Sequence, residues 1–266
     1  MTIMELIQNR RSVRTFAGKP SAQDRQAFQD ILNSITAPLG KPVEFRMLDG
    51  QKYGLKSPVI AGTDLYLAAK CRTEENYELA VGYCFEEACL KALDMKIGTV
   101  MLGGTMNRDA FEKAMDLGTD EAMPVVTPLG YIAPKMSIRE SLMRKGVGAD
   151  TRKPFEALFF SEDFSRPLKE ENAGIYKKAL EAVRLAPSAV NHQPWRAVVN
   201  QDGVHFYLVR SMKKSSPDLQ KTDMGIALCH FDLVMKERGG NGTFAFRDPG
   251  ITMPEKTEYI VTYHLK

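Results

Sequence analysis

No Cys-x-x-Cys pair occurs among the four cysteines, Cys71, Cys84, Cys89 and Cys229, so the chain carries neither a zinc-ribbon spacing nor a dithiol redox motif. Cys84, Cys89 and Cys229 lie beside apolar residues in helical patterns and read as buried, reduced thiols. Histidine is as sparse. His192, His205, His230 and His264 make no His-Glu-x-x-His or similar ligand pattern, and no Gly-x-Ser-x-Gly elbow presents a nucleophile. A Gly-x-Gly-x-x-Gly fingerprint and a Gly-x-x-x-x-Gly-Lys loop are both missing, which removes the main support for Rossmann and P-loop readings. No apolar run approaches membrane-spanning length, and Met1-Thr2-Ile3-Met4-Glu5 has neither a basic nor an apolar leader region, so a cytoplasmic protein without membrane attachment is expected. Neither sign of charge dominates. The 36 Lys and Arg and 33 Asp and Glu are interspersed, and a net charge of +3 gives no broad basic face for nucleic acid.

What the chain does hold is apolar mass and one local cluster of positive charge. With 266 residues, 44% of them hydrophobic, it can bury one substantial core or two small ones. The cluster is Asn9-Arg10-Arg11-Ser12-Val13-Arg14-Thr15-Phe16, at the end of what reads as the first helix. Arginine offers planar donor forks suited to phosphate oxygens, and serine adds a hydroxyl. Arg10, Ser12 and Arg14 share a face if the chain runs extended after Gln8, with Val13 and Phe16 anchoring it. Such a ladder suits an elongated phosphorylated ligand better than a lone phosphate.

Landmarks along the chain recur in one order. Thr2-x-x-Glu5 and Ser21-x-x-Asp24 are helix starts, the second running to about Ser34. Residues 42–48 alternate like a strand, 76–95 read as a long helix and 98–102 as the next strand. In the second half, residues 170–185 read as a helix, 194–199 as a strand, 223–238 as a helix and 242–246 as a strand. Ala37-Pro38 answers Ala186-Pro187, Pro42 answers Pro194, Gly82 answers Gly225, and Gly98-Thr99 answers Gly242-Thr243. Each half closes on a strand, at 124–131 and 258–264. A shared order of this kind predicts a duplicated unit, with halves 1–135 and 136–266 packed about a pseudo-two-fold axis as a single-chain imitation of a homodimer. The halves diverge where polar chemistry belongs. Only the first has the arginine ladder, and only the second has Pro187-Ser188-Ala189-Val190-Asn191-His192-Gln193-Pro194-Trp195 at its helix-strand junction. One complete site, shared between the halves, is the economical expectation.

Together these residues resemble the nitroreductase family, flavoproteins that bind FMN at a dimer interface. Arg10-Arg11-Ser12-Val13-Arg14-Thr15-Phe16 matches its amino-terminal Arg-Arg-Ser-x-Arg-x-Phe signature, and residues 187–195 match its Pro-Ser-x-x-Asn-x-Gln-Pro-Trp signature. Residues 98–104 resemble the strand and loop beside the flavin ring, and Leu129-Gly130-Tyr131 resembles the closing strand. In ordinary members the Pro-Ser-x-x-Asn motif lies soon after the arginines. Here it lies in the other half of the chain, as in a branch where tandem duplication fused two subunits.

The resemblance implies an α+β fold of mostly antiparallel sheets flanked by helices. It implies that Arg10 and Ser12 meet the FMN phosphate and ribityl chain with the Arg11 backbone nearby, and that Arg14 lies at the pyrimidine edge, where a cation eases reduction. Met101, Leu102, Gly103 and Gly104 would flank the ring near N5, the glycines permitting close approach. Pro187, Ser188, Ala189 and Asn191 would approach from the other half, Gln193 bracing their loop and Trp195 packing in the core. Lys135 and Arg139 are candidates for a further phosphate cation, Arg139 being preferred, and His192 is a candidate for the rim of the pocket. The activity implied is transfer of electrons from NADH or NADPH through FMN to a nitroaromatic, quinone or similar small acceptor, in a monomer acting as a pseudo-dimer with no metal. An FMN store or redox sensor with little turnover, and another reductive reaction such as dehalogenation, remain alternatives.

Overall fold

The computed structural model describes residues 1–266. In chain order its elements are α1 (Ile3–Asn9), β1 (Phe16–Gly18), α2 (Ala22–Ser34), β2 (Glu44–Asp49), α3 (Gly50–Tyr53), β3 (Leu65–Arg72), α4 (Tyr77–Asp94), β4 (Ile97–Gly98), α5 (Arg108–Ala114), β5 (Glu121–Ala122), β6 (Val126–Ile132) and α6 (Ile138–Gly146). Then come β7 (Phe159–Ser161), α7 (Lys177–Leu185), β8 (Trp195–Asn200), β9 (Gly203–Val209), α8 (Leu219–Glu237), β10 (Thr243–Ala245) and β11 (Thr257–His264). The expected first cap is a full capping box, with the Thr2 side chain accepting from the Glu5 N–H and the Glu5 carboxylate from the Thr2 N–H.

Two sheets form. The first runs β1-β6-β3-β2, with β4 on β6 and β5 on β3; the second runs β10-β11-β9-β8-β7. Every strand pairing is antiparallel except β7 with β8. The fold is α+β, and the run β4-β6-β3-β2 has the same order and sense as β10-β11-β9-β8.

The central strand β3 escaped the alternation pattern because both its faces are buried. Leu65, Leu67, Ala69 and Cys71 pack into one apolar cluster, while Tyr66 and Ala68 pack into another behind the sheet. A strand covered on both sides has no polar face to mark it. β9 is hidden for the same reason, buried from Gly203 to Leu208.

Between the sheets lie α4 and α8, buried almost all round and therefore without a strong apolar stripe. They touch where Gly82 faces Gly225. A Cβ on Gly82 would strike the Thr222 carbonyl, and one on Gly225 would strike the Leu79 carbonyl. Thr222 precedes Gly225 by three residues and Leu79 precedes Gly82 by three, so the contact is reciprocal, the pattern of a two-fold packing.

Three expected elements have other limits. The helix expected over 223–238 begins at Leu219, because Asp218 caps it by accepting from the Gln220 and Lys221 N–H groups. The helix expected over 170–185 is regular only from Lys177, since Gly174 adopts a left-handed φ of 54° and separates two short 3-10 turns. The strand expected over 98–102 keeps only Ile97–Gly98 on β6; Thr99 and Leu102 then make single bridges, to Ser12 and Val126. That departure carries the chain toward the site.

Candidate functional site

The arginine ladder is extended because α1 stops at Arg10, whose φ of −63° and ψ of 127° leave the helix while its N–H still donates to Leu6. Main-chain bonds hold the residues beyond it. The Val13 N–H donates to Thr99 (2.9 Å), the Ala61 N–H to Arg14 (3.0 Å) and the Phe16 N–H to Ala61 (2.9 Å). Val13 and Phe16 are buried as anchors. Beneath the ladder Glu140, only 2% exposed, accepts from the Arg11 guanidinium at 3.0 Å and from the Arg14 N–H at 3.1 Å. Ser137 caps the helix that carries it, accepting from the Glu140 N–H, and is tied to Thr15 at 3.0 Å. One buried carboxylate thus fixes the register of two arginines.

The junction after α7 is held in unusual backbone. Val190, Asn191 and Gln193 have φ of 51°, 56° and 50°. For a β-branched valine this is a strained conformation that neighbouring contacts must enforce. They do so. Gln193 is buried; its N–H donates to Ser188 Oγ (2.9 Å) and its side-chain oxygen accepts the Lys153 N–H (2.8 Å). Asn191 Nδ2 donates to the Gly148 carbonyl at 2.7 Å, and the Ala189 N–H is received by both oxygens of Asp223, at 3.0 and 3.1 Å. Gln193 braces the loop as its motif implied, and Trp195 is fully buried in the core.

On the third side, Leu102 and Val126 exchange both main-chain bonds, and the chain then turns through Gly103 and Gly104. The two glycines differ. A Cβ on Gly103 would press on the Leu219 side chain at 3.0 Å, whereas one on Gly104 would meet nothing within 4 Å. A side chain at Gly103 would have to displace Leu219 of α8, whereas one at Gly104 would enter open space.

These three segments close around one cavity of about 610 Å³, within the usual range for cofactor pockets. Arg10, Arg11, Ser12, Arg14, Met101, Leu102, Gly103, Gly104, Pro187, Ser188, Ala189 and Asn191 all line it. Arg139 does not. Its guanidinium donates to the Pro58 carbonyl at 2.6 Å on the exposed side of α6, because the neighbouring position, Glu140, is the one turned inward beneath the ladder. Lys135 and His192 are also absent from the wall; the His192 N–H donates to the Ala189 carbonyl and its own carbonyl accepts from Lys153 Nζ.

Arg144 and Arg152, not Arg139, are the further arginines on the cavity wall. Arg144 lies in the last turn of α6, paired with Asp150; Arg152 is held by the carbonyls of Ala149, Thr151 and Leu185. Nothing in the spacing of residues 144–152 distinguishes them from solvated surface arginines. Asp223, Met143 and Met212 were missed as well; the first read as the start of a helix whose second turn it occupies.

The wall is electrostatically unfinished. Burial lowers the pKa of Arg14, opposed by Glu140 and reinforced by Arg144, and burial lowers that of Arg152, reinforced first by Arg10. The Nε atoms of Arg10, Arg14 and Arg152 are buried without a hydrogen-bond partner. Clustered guanidinium groups with unsatisfied donors favour an anion among them. On the same wall, burial pushes the Asp223 carboxyl well above its ordinary range.

A sequence model of the family described as "Putative TM nitroreductase" matches residues 2–235. The chain belongs to this nitroreductase family. No functionally curated protein matches it. Among solved structures, a "putative nitroreductase" of Thermotoga maritima MSB8 is 20% identical, with a TM-score of 0.64 over 100% of this chain and 93% of that one. A nitroreductase family protein of Clostridium novyi NT is 17% identical, with a TM-score of 0.43 over 50% of this chain and 87% of that one. A mutant of an FMN and NADPH-dependent nitroreductase from Sphigopyxis sp. strain HMH is 11% identical, with a TM-score of 0.43 over 52% of this chain and 92% of that one. The Thermotoga likeness shows a common fold, the nitroreductase fold, over the whole chain.

Proposed function

We propose that this nitroreductase-family protein is an FMN-dependent oxidoreductase, driven by NADH or NADPH, that reduces a nitroaromatic, quinone or similar electron-poor small molecule. The observation that carries the reading is the meeting of residues 10–14 with residues 187–191 around one cavity whose buried guanidinium nitrogens lack partners. Those residues fit FMN: Arg10, Ser12 and Arg152 for phosphate and ribityl oxygens, Arg14 for the pyrimidine edge, Gly104 for the ring and the 187–191 loop for the opposite side. Bound there, FMN would accept a hydride equivalent from the donor and pass it to an acceptor that takes the donor's place, a ping-pong cycle. The chain's own part is to hold the flavin, to set positive charge beside its pyrimidine edge through Arg14, and to exclude water with the apolar wall of Met101, Met143, Met212 and Leu219.

The halves 1–135 and 136–266 are read as products of one duplication, supported by the matching strand order and the reciprocal Gly82–Gly225 contact. A monomer then does what two subunits would, and a pyridine-nucleotide donor fits a cytoplasmic setting. Absorbance of the purified protein after FMN loading tests the cofactor; failure to bind FMN would sink the proposal. Steady NAD(P)H oxidation with a nitroaromatic or quinone is expected from the loaded protein. Tight binding without turnover on either acceptor would favour the storage or sensing reading instead.

A further inference from the structure

The interface of α4 and α8 holds two ionisable groups that the proposed chemistry leaves unused. Glu86 and His230 are both 0% exposed. His230 Nδ1 lies 2.9 Å from the Ala182 carbonyl oxygen, and Nε2 lies 2.8 Å from Glu86 Oε1. A carbonyl has no proton to give, so Nδ1–H is the donor of the first bond. Nε2 then confronts a carboxyl oxygen. Two lone pairs facing each other at that distance, away from water, would repel, so a second proton lies between them, on Nε2 or on Oε1. Either placement leaves the pair with no net charge.

Arg10 stands beside this pair. Its Nε is 3.6 Å from the same Glu86 Oε1 but makes no hydrogen bond, and Glu86 Oε2 also has no partner. The other titratable groups facing the pair are the thiols of Cys89 on α4 and Cys229 on α8, both kept protonated by burial, and Arg152 beyond Arg10. No other cation balances Glu86. Were the pair to lose its shared proton, a full carboxylate charge would stand against Arg10 in a dry setting and cancel much of its field.

We propose that Glu86 and His230 are positioning residues that act on the anion site through Arg10, sharing one proton so that the pair stands against the guanidinium without net charge and leaves the charge of Arg10 free for an anion in the cavity. This deepens the FMN reading and rests on it. The pairing is asymmetric: Glu86 lies four residues after Gly82, and the residue four after Gly225 is Cys229. The device therefore serves one side of the pseudo-dimer, the side with the ladder.

Charge counting gives the test. His230→Asn removes the shared proton's second seat and leaves Glu86 facing Arg10 with no imidazole to balance it, whereas Glu86→Gln with His230→Asn puts an uncharged amide in its place. FMN titrations followed by flavin fluorescence are expected to show roughly tenfold or greater weakening in H230N and recovery toward wild type in the double variant. Unchanged affinity in H230N, or a double variant weaker than H230N as packing damage would make it, overturns the proposal. If either variant fails to fold, the wild type decides. NMR of protein labelled with 15N-histidine and 13C-glutamate is expected to show a proton on His230 Nδ1 and another on Nε2 or on Glu86; a bare Nε2 beside an ionised Glu86 overturns it. Failure of the wild type to bind FMN would overturn the cofactor reading and leave the proton count to this spectrum.

Discussion

Arg14 is fixed by its own backbone, whose N–H donates to Glu140, while its guanidinium lines the cavity with Nε unpartnered. A cation beside the flavin ring stabilises the negative charge that reduction places there. Arg14→Ala is therefore expected to lower the two-electron potential of bound FMN by about 30–60 mV, one to two tenfold steps for such a couple, as read by equilibrium dye titration. Asp223 works in the opposite electrostatic sense. Burial holds its carboxyl well above the ordinary 3.8, so the folded chain keeps that proton more tightly than the unfolded one. Its contribution to stability is full below that ordinary value and declines as pH rises above it. Asp223→Asn, which can still accept from the Ala189 N–H, is expected to melt above wild type near pH 7, with the difference closing toward pH 4 in paired thermal scans.

At the scale of elements, two features store the geometry of the site. The α4–α8 crossing depends on having no side chain at Gly82 and Gly225, since each Cβ would enter the opposing backbone. Gly82→Ala would gain about 1 kcal/mol of helix propensity in an isolated helix. Here a net loss of at least about 3 kcal/mol is expected in urea denaturation, because neither carbonyl can move without parting the helices. The 188–193 loop stores strain instead of closeness. Val190→Gly relieves the left-handed valine and is expected to stabilise the fold by about 0.5 kcal/mol, the relief of about 1–2 kcal/mol less the extra entropy of glycine. The same change should weaken FMN binding in a fluorescence titration, because the loop is no longer preorganised.

At the scale of the molecule, a single complete site predicts one FMN per chain under the proposed function. The ladder and the Pro-Ser-x-x-Asn loop occur once each and meet once, and the first half's junction is filled, with Ala37, Leu39 and Val43 packed against the larger core. Absorbance titration is expected to saturate at one FMN per chain in a protein that elutes as a monomer; two equivalents would show that the halves retained both sites.

The ladder, the junction loop and the glycine turn were legible in the sequence because each is a contiguous run: charged residues after a helix that stops at Arg10, a signature at residues 187–195, and two glycines after an apolar stretch. The α+β class was legible from helix periodicity and strand alternation, except in β3 and β9, where burial on both faces erased the pattern. The order of landmarks matched Gly82 with Gly225, but their contact needed the crossing. Arg144, Arg152, Asp223 and the Glu86–His230 pair could not be read in advance. Asp223 and Glu86 take their character from neighbours distant in the chain, Ala189 and Arg10, and Arg144 and Arg152 from the fold that carries them to the cavity wall. Arg139 shows the converse: adjacent to the buried Glu140, it points outward, since one residue along a helix is a turn of about 100°. Sequence determined which segments could build the site, because local backbone preference and side-chain type are written residue by residue. Only the tertiary structure decided which charges became buried neighbours, because burial and Coulomb interaction depend on distance in space.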